Sequence, residues 1–430
     1  MEEMKIIYGS YINFMLLISS EFGMVGGRRR KIAEFRVKEE KKKSNSNSKI
    51  EREGKEKCSC RTKKSLIPAS ASCYPSTKIT FTASMSKAVV VRRDKEYPLE
   101  KYDELIVKLT SLTIIGSVFW IPALFIYLYK KWKNTPKEDE KKRRFYRNLL
   151  LGLTLCAVLG PHRHPKVGQL LQFKKWNIWK SWMRYVSLQV ITEDLHMDQN
   201  FDIQKDRAIL AFSPHGIFPF SLGFGVLTDM AKQYFGEFRP VVATATRFYP
   251  FLNTILQWLG QVDASRIEVD RALANGDKIG LAPGGISEMF EGFPKAGRHP
   301  DEECIILKNR KGFIKMALKH KLPVVPIYCF GASKMLKRLQ LPLLEKMSNL
   351  IRASICIFYG MYGLPIPFRK KLLYAVGSPI RPPLDGVALG TPEFDKVVDD
   401  MHQQFCEAMT NLFDKHKSSY GWEHKILRIV

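Results

Sequence analysis

A histidine between a proline and a glycine is the residue of this sequence best suited to acid–base chemistry. His215 follows the apolar run 208–212 and lies in the turn Ser213-Pro214-His215-Gly216. Pro214 restricts the entry to the turn, and Gly216 lets another backbone or a ligand approach closely. Because the imidazole pKa lies near neutrality, His215 could act as a general base. A lone histidine is more often structural, so the residue types alone leave that alternative open.

A second turn carries paired glycines and a carboxylate. The segment Pro283-Gly284-Gly285-Ile286-Ser287-Glu288 follows the strand-like run 278–282. The amides of Gly284 and Gly285 could line an oxyanion or phosphate site. Glu288 could orient His215 and stabilise its imidazolium, as a carboxylate does in hydrolase triads. An ordinary Gly-Gly turn with a solvated glutamate is the alternative.

Two arginines are candidates for holding an anionic substrate. Arg266 comes just beyond the apolar stretch 248–262, and Arg310 lies within a basic segment at 308–311. A guanidinium group can bind phosphate oxygens bidentately. We therefore predict Arg266 first and Arg310 second as phosphate-binding residues, although solvated helix faces explain such residues equally well.

Short apolar runs that alternate with helical stretches predict an α/β domain over residues 165–430. The segment 309–320 has helical spacing. The strand-like runs are 208–212, 240–245, 278–282 and 324–330. This alternation is typical of a mostly parallel sheet surrounded by helices, in which ligands gather at the carboxyl ends of the strands. Both candidate turns fall at that edge.

Composition restricts the class of partner. The 430 residues include 69 Lys+Arg and 42 Asp+Glu, a formal net charge of +27. Such an excess suits nucleic acid, an anionic membrane surface or a phosphate-rich substrate. Zinc-finger spacing and an RNA-binding aromatic signature are lacking, so we predict a membrane and a phosphorylated substrate, and no nucleic-acid partner. The eight scattered cysteines indicate reduced thiols facing the cytosol, without a disulfide framework or a metal site.

The residues before this domain predict a tail and a membrane anchor. Residues 1–84 have the composition of a disordered or targeting tail. Within the anchoring segment 85–164, the stretch 109–129 has 21 residues without a charge, which predicts a membrane span. The apolar stretch 148–161 is short, and we expect it to enter the membrane without crossing, because the basic segment 130–147 favours the cytosolic side. A hairpin with that segment in the lumen is the alternative.

Seven short motifs occur in an order that resembles a known family. They are Ser213-Pro214-His215-Gly216, Arg247-Phe248-Tyr249-Pro250, Pro283-Gly284-Gly285-Ile286-Ser287-Glu288, Leu307-Lys308-Asn309-Arg310-Lys311-Gly312-Phe313, Val325-Pro326-Ile327 with Phe330-Gly331, Gly363-Leu364-Pro365-Ile366-Pro367 and Val376-Gly377-Ser378-Pro379-Ile380. Each motif is weak alone. Together they resemble the type 2 diacylglycerol acyltransferase family, which also contains monoacylglycerol acyltransferases and wax synthases. The resemblance covers residues 105 to 430.

The resemblance implies an acyltransferase-like α/β fold and transfer of an acyl group from a coenzyme A thioester to a neutral-lipid alcohol, diacylglycerol above all. It implies His215 as the general base and Glu288 as a residue of the same site. Acyl-CoA would be a co-substrate, and no cofactor is expected. The residues that we predict around the substrates are Pro214, Gly216, Gly284, Gly285, Arg266 and Arg310.

Two departures from related patterns bear on the site. Family members commonly have His or Glu where this chain has Ser213, so that residue cannot be essential to the chemistry. A related His-x-x-x-x-Asp motif would need Asp at position 220, where Phe220 stands. The partner of His215 must therefore come from elsewhere, and Glu288 is the candidate.

Other functions on the same fold stay open. The acceptor could be monoacylglycerol, a long-chain alcohol or a sterol, or the chain could be a non-catalytic lipid-binding scaffold, which would need neither His215 nor Glu288. The resemblance implies the endoplasmic reticulum membrane, with the catalytic domain facing the cytosol, and leaves the lipid droplet surface and homo-oligomerisation open.

Overall fold

The computed structural model describes residues 90–91, 98–159, 169–192, 201–227, 229–291, 295, 297–351, 356–383 and 390–430. The tail predicted at 1–84 lies outside these residues.

Helices and strands alternate through most of the described chain. The helices are α1 (Asp103–Thr110), α2 (Ser117–Asn134), α3 (Glu140–Leu159), α4 (Leu171–Lys174), α5 (Ile178–Tyr185), α6 (Phe220–Leu227), α7 (Asp229–Phe235), α8 (Pro250–Trp258), α9 (Arg266–Ala274), α10 (Glu288–Glu291), α11 (Gly312–His320), α12 (Pro342–Ile351) and α13 (Pro392–Tyr420). The strands are β1 (Val90–Val91), β2 (Gln189–Thr192), β3 (Ile209–Ser213), β4 (Arg239–Val242), β5 (Val262–Asp263), β6 (Ile279–Leu281), β7 (Glu302–Ile305), β8 (Val324–Phe330), β9 (Lys337–Arg338), β10 (Phe358–Tyr359), β11 (Leu373–Val376) and β12 (Ile426–Ile429).

Eight strands form the central sheet in the order β1-β2-β11-β8-β3-β6-β4-β5. The five strands from β8 to β5 run parallel, whereas β11 is antiparallel to β8. The prediction of a mostly parallel sheet with surrounding helices is therefore confirmed. Strands β3, β4, β6 and β8 overlap the four predicted runs, and α11 lies within the predicted helical segment.

Strand β3 lies at the centre of the sheet and is buried along its whole length. Leu210 and Phe212 face one apolar cluster, and Ile209 and Ala211 face the other. This alternation follows from the two-residue period of a strand, and burial on both faces explains why the run is apolar without interruption. The segment after β3 is thus attached to the most rigid part of the fold.

The predicted span 109–129 falls on a bent helix pair. A π-helical turn, Ser111–Ile115, separates α1 from α2, and the arms Asp103–Ile115 and Ser117–Asn134 meet at 56°. A side chain at Gly116 would place its Cβ 2.2 Å from the Leu112 carbonyl oxygen, so the bend requires glycine. In the described chain, no helix taken singly is long and apolar enough for a membrane span, but this bent pair meets both criteria together.

The second predicted membrane stretch forms the later half of α3, as far as Leu159, the last described residue of that helix. Helix α3 packs against α2, and the two form a hairpin. None of the residues of α3 is buried by protein.

Candidate active site

The two turns singled out in the sequence meet at one edge of the sheet. Because β3 and β6 are adjacent and parallel, the segments that follow them leave the sheet side by side. His215 comes two residues after β3, and Glu288 begins α10, which follows the turn after β6. Both residues are buried, with 7% and 6% of their surfaces exposed.

The ring of His215 is held by a backbone carbonyl. Its Nε2 lies 2.6 Å from the Gly285 carbonyl oxygen. A carbonyl oxygen can only accept a hydrogen bond, so Nε2 carries the proton and donates it. In the neutral ring the basic nitrogen is then Nδ1. This atom is buried and has no hydrogen-bond partner among the described residues, so its lone pair is not engaged by the protein there.

Glu288 supports the main chain of the histidine. Its Oε2 accepts a hydrogen bond from the His215 backbone N–H at 3.0 Å and lies 3.8 Å from Nε2. The sequence predicts a triad-like arrangement, in which the Glu288 carboxylate would accept a hydrogen bond from the His215 ring itself. Here the ring bond goes to Gly285, and the carboxylate contributes a nearby negative charge and a backbone hydrogen bond.

Burial raises the pKa of the Glu288 carboxyl above its usual value. The His215 ring, the backbone amides of His215 and Ile306, and the charge of Arg310 act in the opposite direction. A charged carboxylate away from water is unfavourable unless such groups compensate it. A positive charge on the His215 ring would therefore stabilise the ionised form of Glu288.

Glycine is required at two positions of the site for steric reasons. A Cβ at Gly284 would lie 2.7–2.9 Å from the carboxyl atoms of Glu288, so this residue makes room for the carboxylate. Gly216 has φ +74°, and a Cβ there would lie 2.5 Å from the Ala332 carbonyl oxygen. The Gly285 amide donates to the Ala282 carbonyl at 3.2 Å, which closes the turn.

The structure brings one of the two predicted arginines to the turns. Arg310 donates from Nη2 to Ser287 Oγ at 2.9 Å, next to Glu288. Arg266 is exposed at the start of α9, after β5. Strand β5 is three strands away from β3, a separation of about 14 Å at the usual strand spacing of about 4.8 Å. Arg266 therefore lies along the same edge and apart from His215.

Sequence reasoning missed a buried arginine that holds α10. Arg338, in β9, donates from Nη2 to the Phe290 carbonyl oxygen at 2.7 Å, and its guanidinium lies 5.4 Å from the centre of the Phe290 ring. Only 7% of this residue is exposed. The two residues are 48 positions apart, and no motif or spacing in the sequence signals the contact.

Comparisons with known proteins show which proteins this chain is similar to. The sequence model of the family described as "Diacylglycerol acyltransferase" matches residues 142–429. Human Diacylglycerol O-acyltransferase 2 is 28% identical over 331 residues, which cover 70% of this chain and 72% of that protein. Mouse Acyl-CoA wax alcohol acyltransferase 1 is 26% identical over 268 residues, covering 58% and 76%.

A solved structure, the 1-acyl-sn-glycerophosphate acyltransferase of Thermotoga maritima, aligns over 70% of this chain and 97% of its own, with 15% identity and a TM-score of 0.31. These values are too low for an argument about the site. The family match covers well over half of the sequence, and it confirms the resemblance of the motifs and the prediction of an enzyme. The chain belongs to the diacylglycerol acyltransferase family and is an acyltransferase.

Proposed function

We propose that this acyltransferase moves a fatty acyl group from acyl-CoA to diacylglycerol, with His215 as the general base. The observation that carries the proposal is the orientation of His215. Its Nε2–H bond to Gly285 leaves Nδ1 buried at the carboxyl edge of the sheet, with no partner in the described part of the chain. A buried, oriented imidazole next to a carboxylate suits proton abstraction from an alcohol.

In the proposed reaction, Nδ1 of His215 takes the hydroxyl proton of the acceptor while the alcohol oxygen attacks the thioester carbonyl carbon. The resulting oxyanion needs hydrogen-bond donors, for which the amides of Gly216 and Gly284 are candidates. When the tetrahedral intermediate collapses, the carbon–sulfur bond breaks. The thiolate of coenzyme A then takes the proton back from His215, and the base is regenerated.

Glu288 would stabilise the imidazolium through its charge 3.8 Å from Nε2, and it would keep the His215 backbone in place. Arg310, bonded to Ser287, is the nearer candidate for the phosphates of the coenzyme. Arg266 lies farther along the edge and suits a more distant phosphate of the same extended molecule.

Acceptors that differ slightly in size are poorly discriminated, because one methylene changes discrimination by only about 1–3 kcal/mol. Diacylglycerol is favoured by several relatives named Diacylglycerol O-acyltransferase 2. A long-chain alcohol is the second candidate, supported by the relatives named Acyl-CoA wax alcohol acyltransferase. Monoacylglycerol and sterols complete the set that must be tested.

We also propose that the protein works at the endoplasmic reticulum membrane, with the sheet domain on the cytosolic side, and that it also reaches lipid droplets. The support is the later half of α3, where the exposed apolar residues are Leu149, Leu151, Leu155, Val158 and Leu159. An unburied apolar helix surface of this kind is stable when lipid covers it.

Labelled acyl-CoA and a panel of acceptors would test the reaction in membranes of a host that lacks neutral-lipid synthesis. The panel contains diacylglycerol, monoacylglycerol, a long-chain alcohol and a sterol, and His215→Ala is the matched control. We expect labelled triacylglycerol to form with the unaltered chain and to be absent with the control. Wax ester as the main product would show that the acceptor is a long-chain alcohol and not diacylglycerol. Equal product from both chains would exclude His215 as the base.

A further inference from the structure

The hairpin of α2 and α3 changes character along its length. At its base, Phe119 and Trp120 contact the aromatic rings of Phe358 and Phe251 at 4.9 and 6.0 Å. Above this base, α3 has no buried residue, and α2 exposes apolar side chains such as Leu124 and Tyr127. The hairpin therefore needs another apolar environment around its lower part.

Aromatic residues form a band above the apolar part. Tyr129 and Trp132 of α2 lie 5.9 Å apart between ring centres, and Phe145 and Tyr146 of α3 lie 5.6 Å apart. Tyrosine and tryptophan are enriched where a protein passes from hydrocarbon to headgroups, because their rings are apolar at one end and polar at the other. The band thus marks the level of a lipid headgroup layer.

The tip of the hairpin, residues 130–147, carries nine basic and three acidic side chains. It borders an open cavity of about 400 Å³. The lining includes Lys130, Lys131 and Lys142 with Tyr127 and Tyr146. Asp139 also lines the cavity and pairs with Lys142 at 2.7 Å. The exposed Lys130 and Lys131 make no ion pair with the described residues, so their charges are available to an anion.

We propose that this cavity holds the phosphate of an anionic phospholipid, with Lys130 and Lys131 as its main ligands. Charge complementarity selects an anion, and polybasic segments next to a membrane attract anionic lipids. Because the cavity adjoins the aromatic band and the uncovered apolar surface, we infer that its ligand is a lipid phosphate and not free phosphate. The proposal rests on the proposed membrane association and is independent of the His215 chemistry.

The test uses the full chain in neutral detergent micelles that contain phosphatidylglycerol or phosphatidylcholine. Mass spectrometry counts the lipid that stays with the protein after capture. We expect preferential retention of phosphatidylglycerol. Joint replacement Lys130→Gln and Lys131→Gln should lower that preference by about tenfold, because each charge near an anionic headgroup contributes to the attraction.

The matched control removes the same charge elsewhere, with Lys396→Gln and Lys321→Gln, and should keep the preference. Acyl transfer in neutral micelles should be equal in all three chains, which separates this proposal from the proposed function. Equal retention of both lipids by the unaltered chain would overturn the proposal. So would an unchanged preference in the Lys130/Lys131 variant, or complete displacement of the lipid by excess inorganic phosphate.

Discussion

Single residues of the site are oriented by contacts that leave one nitrogen available for chemistry. The Gly285 carbonyl holds Nε2 of His215, and Nδ1, which we propose accepts the proton, has no hydrogen-bond partner among the residues that the structure describes. We expect His215→Ala to lower acyl transfer by a factor on the order of 10²–10⁴, the usual effect of losing a general base. Activity in isolated membranes would be compared with protein level and membrane association, which should not change. Retention of more than half of the activity would contradict the assignment.

Glu288 acts on the same histidine, and the two should behave as one unit. Its carboxylate bonds the His215 amide at 3.0 Å, so Glu288→Gln keeps the shape and removes the negative charge. We expect a smaller loss of turnover than in His215→Ala, and no further loss in the double variant, because residues of one unit are not additive. Rates of the two single variants and the double variant measure this. Losses that multiply would assign Glu288 to substrate binding instead.

At the scale of elements, the position of α10 depends on β9. Arg338 holds the Phe290 carbonyl at 2.7 Å, two residues after Glu288. Arg338→Met would leave that contact unmade, and we expect a loss of stability of about 1–3 kcal/mol together with lower turnover, because Glu288 moves with α10. Thermal unfolding and activity of the same preparation would be measured.

The neighbouring residue supplies the control for this experiment. Lys337 lies in the same strand and is exposed, and a surface change of this kind usually alters stability by no more than about 0.5 kcal/mol. Lys337→Met should therefore leave both readings nearly unchanged. If both variants lost activity equally, β9 would act through its overall charge and the Phe290 contact would not be responsible.

At the scale of the whole molecule, we expect the helical hairpin to determine how the protein is arranged at the proposed membrane. Coenzyme A thioesters are charged molecules of the cytosol, which favours a cytosolic sheet domain. The apolar half of α3, residues 148–159, is about 18 Å long at 1.5 Å per residue, short of the roughly 30 Å hydrocarbon core. We therefore expect α3 to enter the membrane without crossing, with the hairpin lying inclined within the cytosolic leaflet, so that the basic tip and the sheet domain both face the cytosol.

Single cysteines at Lys137 and Lys396 would test this arrangement in a chain without the eight native cysteines. Both positions are exposed, one at the hairpin tip and one on α13. On sealed microsomes, an impermeant thiol reagent should label both from outside. Labelling of Lys396→Cys with protection of Lys137→Cys would mean that the tip is luminal and that the hairpin crosses the bilayer.

Local pattern was enough to predict several features of the protein. Short strand-like runs identified β3, β4, β6 and β8, and β3 and β8 are apolar almost throughout because both of their faces are buried. The rule that ligands bind at the carboxyl ends of parallel strands placed the turns of His215 and Glu288 at one edge. The order of the motifs indicated the family. Each of these inferences depends on residues that are neighbours in sequence or on a general rule of sheet topology.

Tertiary structure alone decided which atoms meet. His215 and Gly285 are 70 residues apart, and Arg338 and Phe290 are 48. Such pairs depend on the order of strands and the path of each turn, which hydrophobic periodicity does not specify. The same limit explains why the sequence favours Arg266 over Arg310 although Arg266 follows β5, which lies three strands from β3. Hydropathy alone predicts one continuous span over 109–129, because it measures composition and not the direction of the backbone. In the structure the helix bends where the backbone at Gly116 lies close to Leu112.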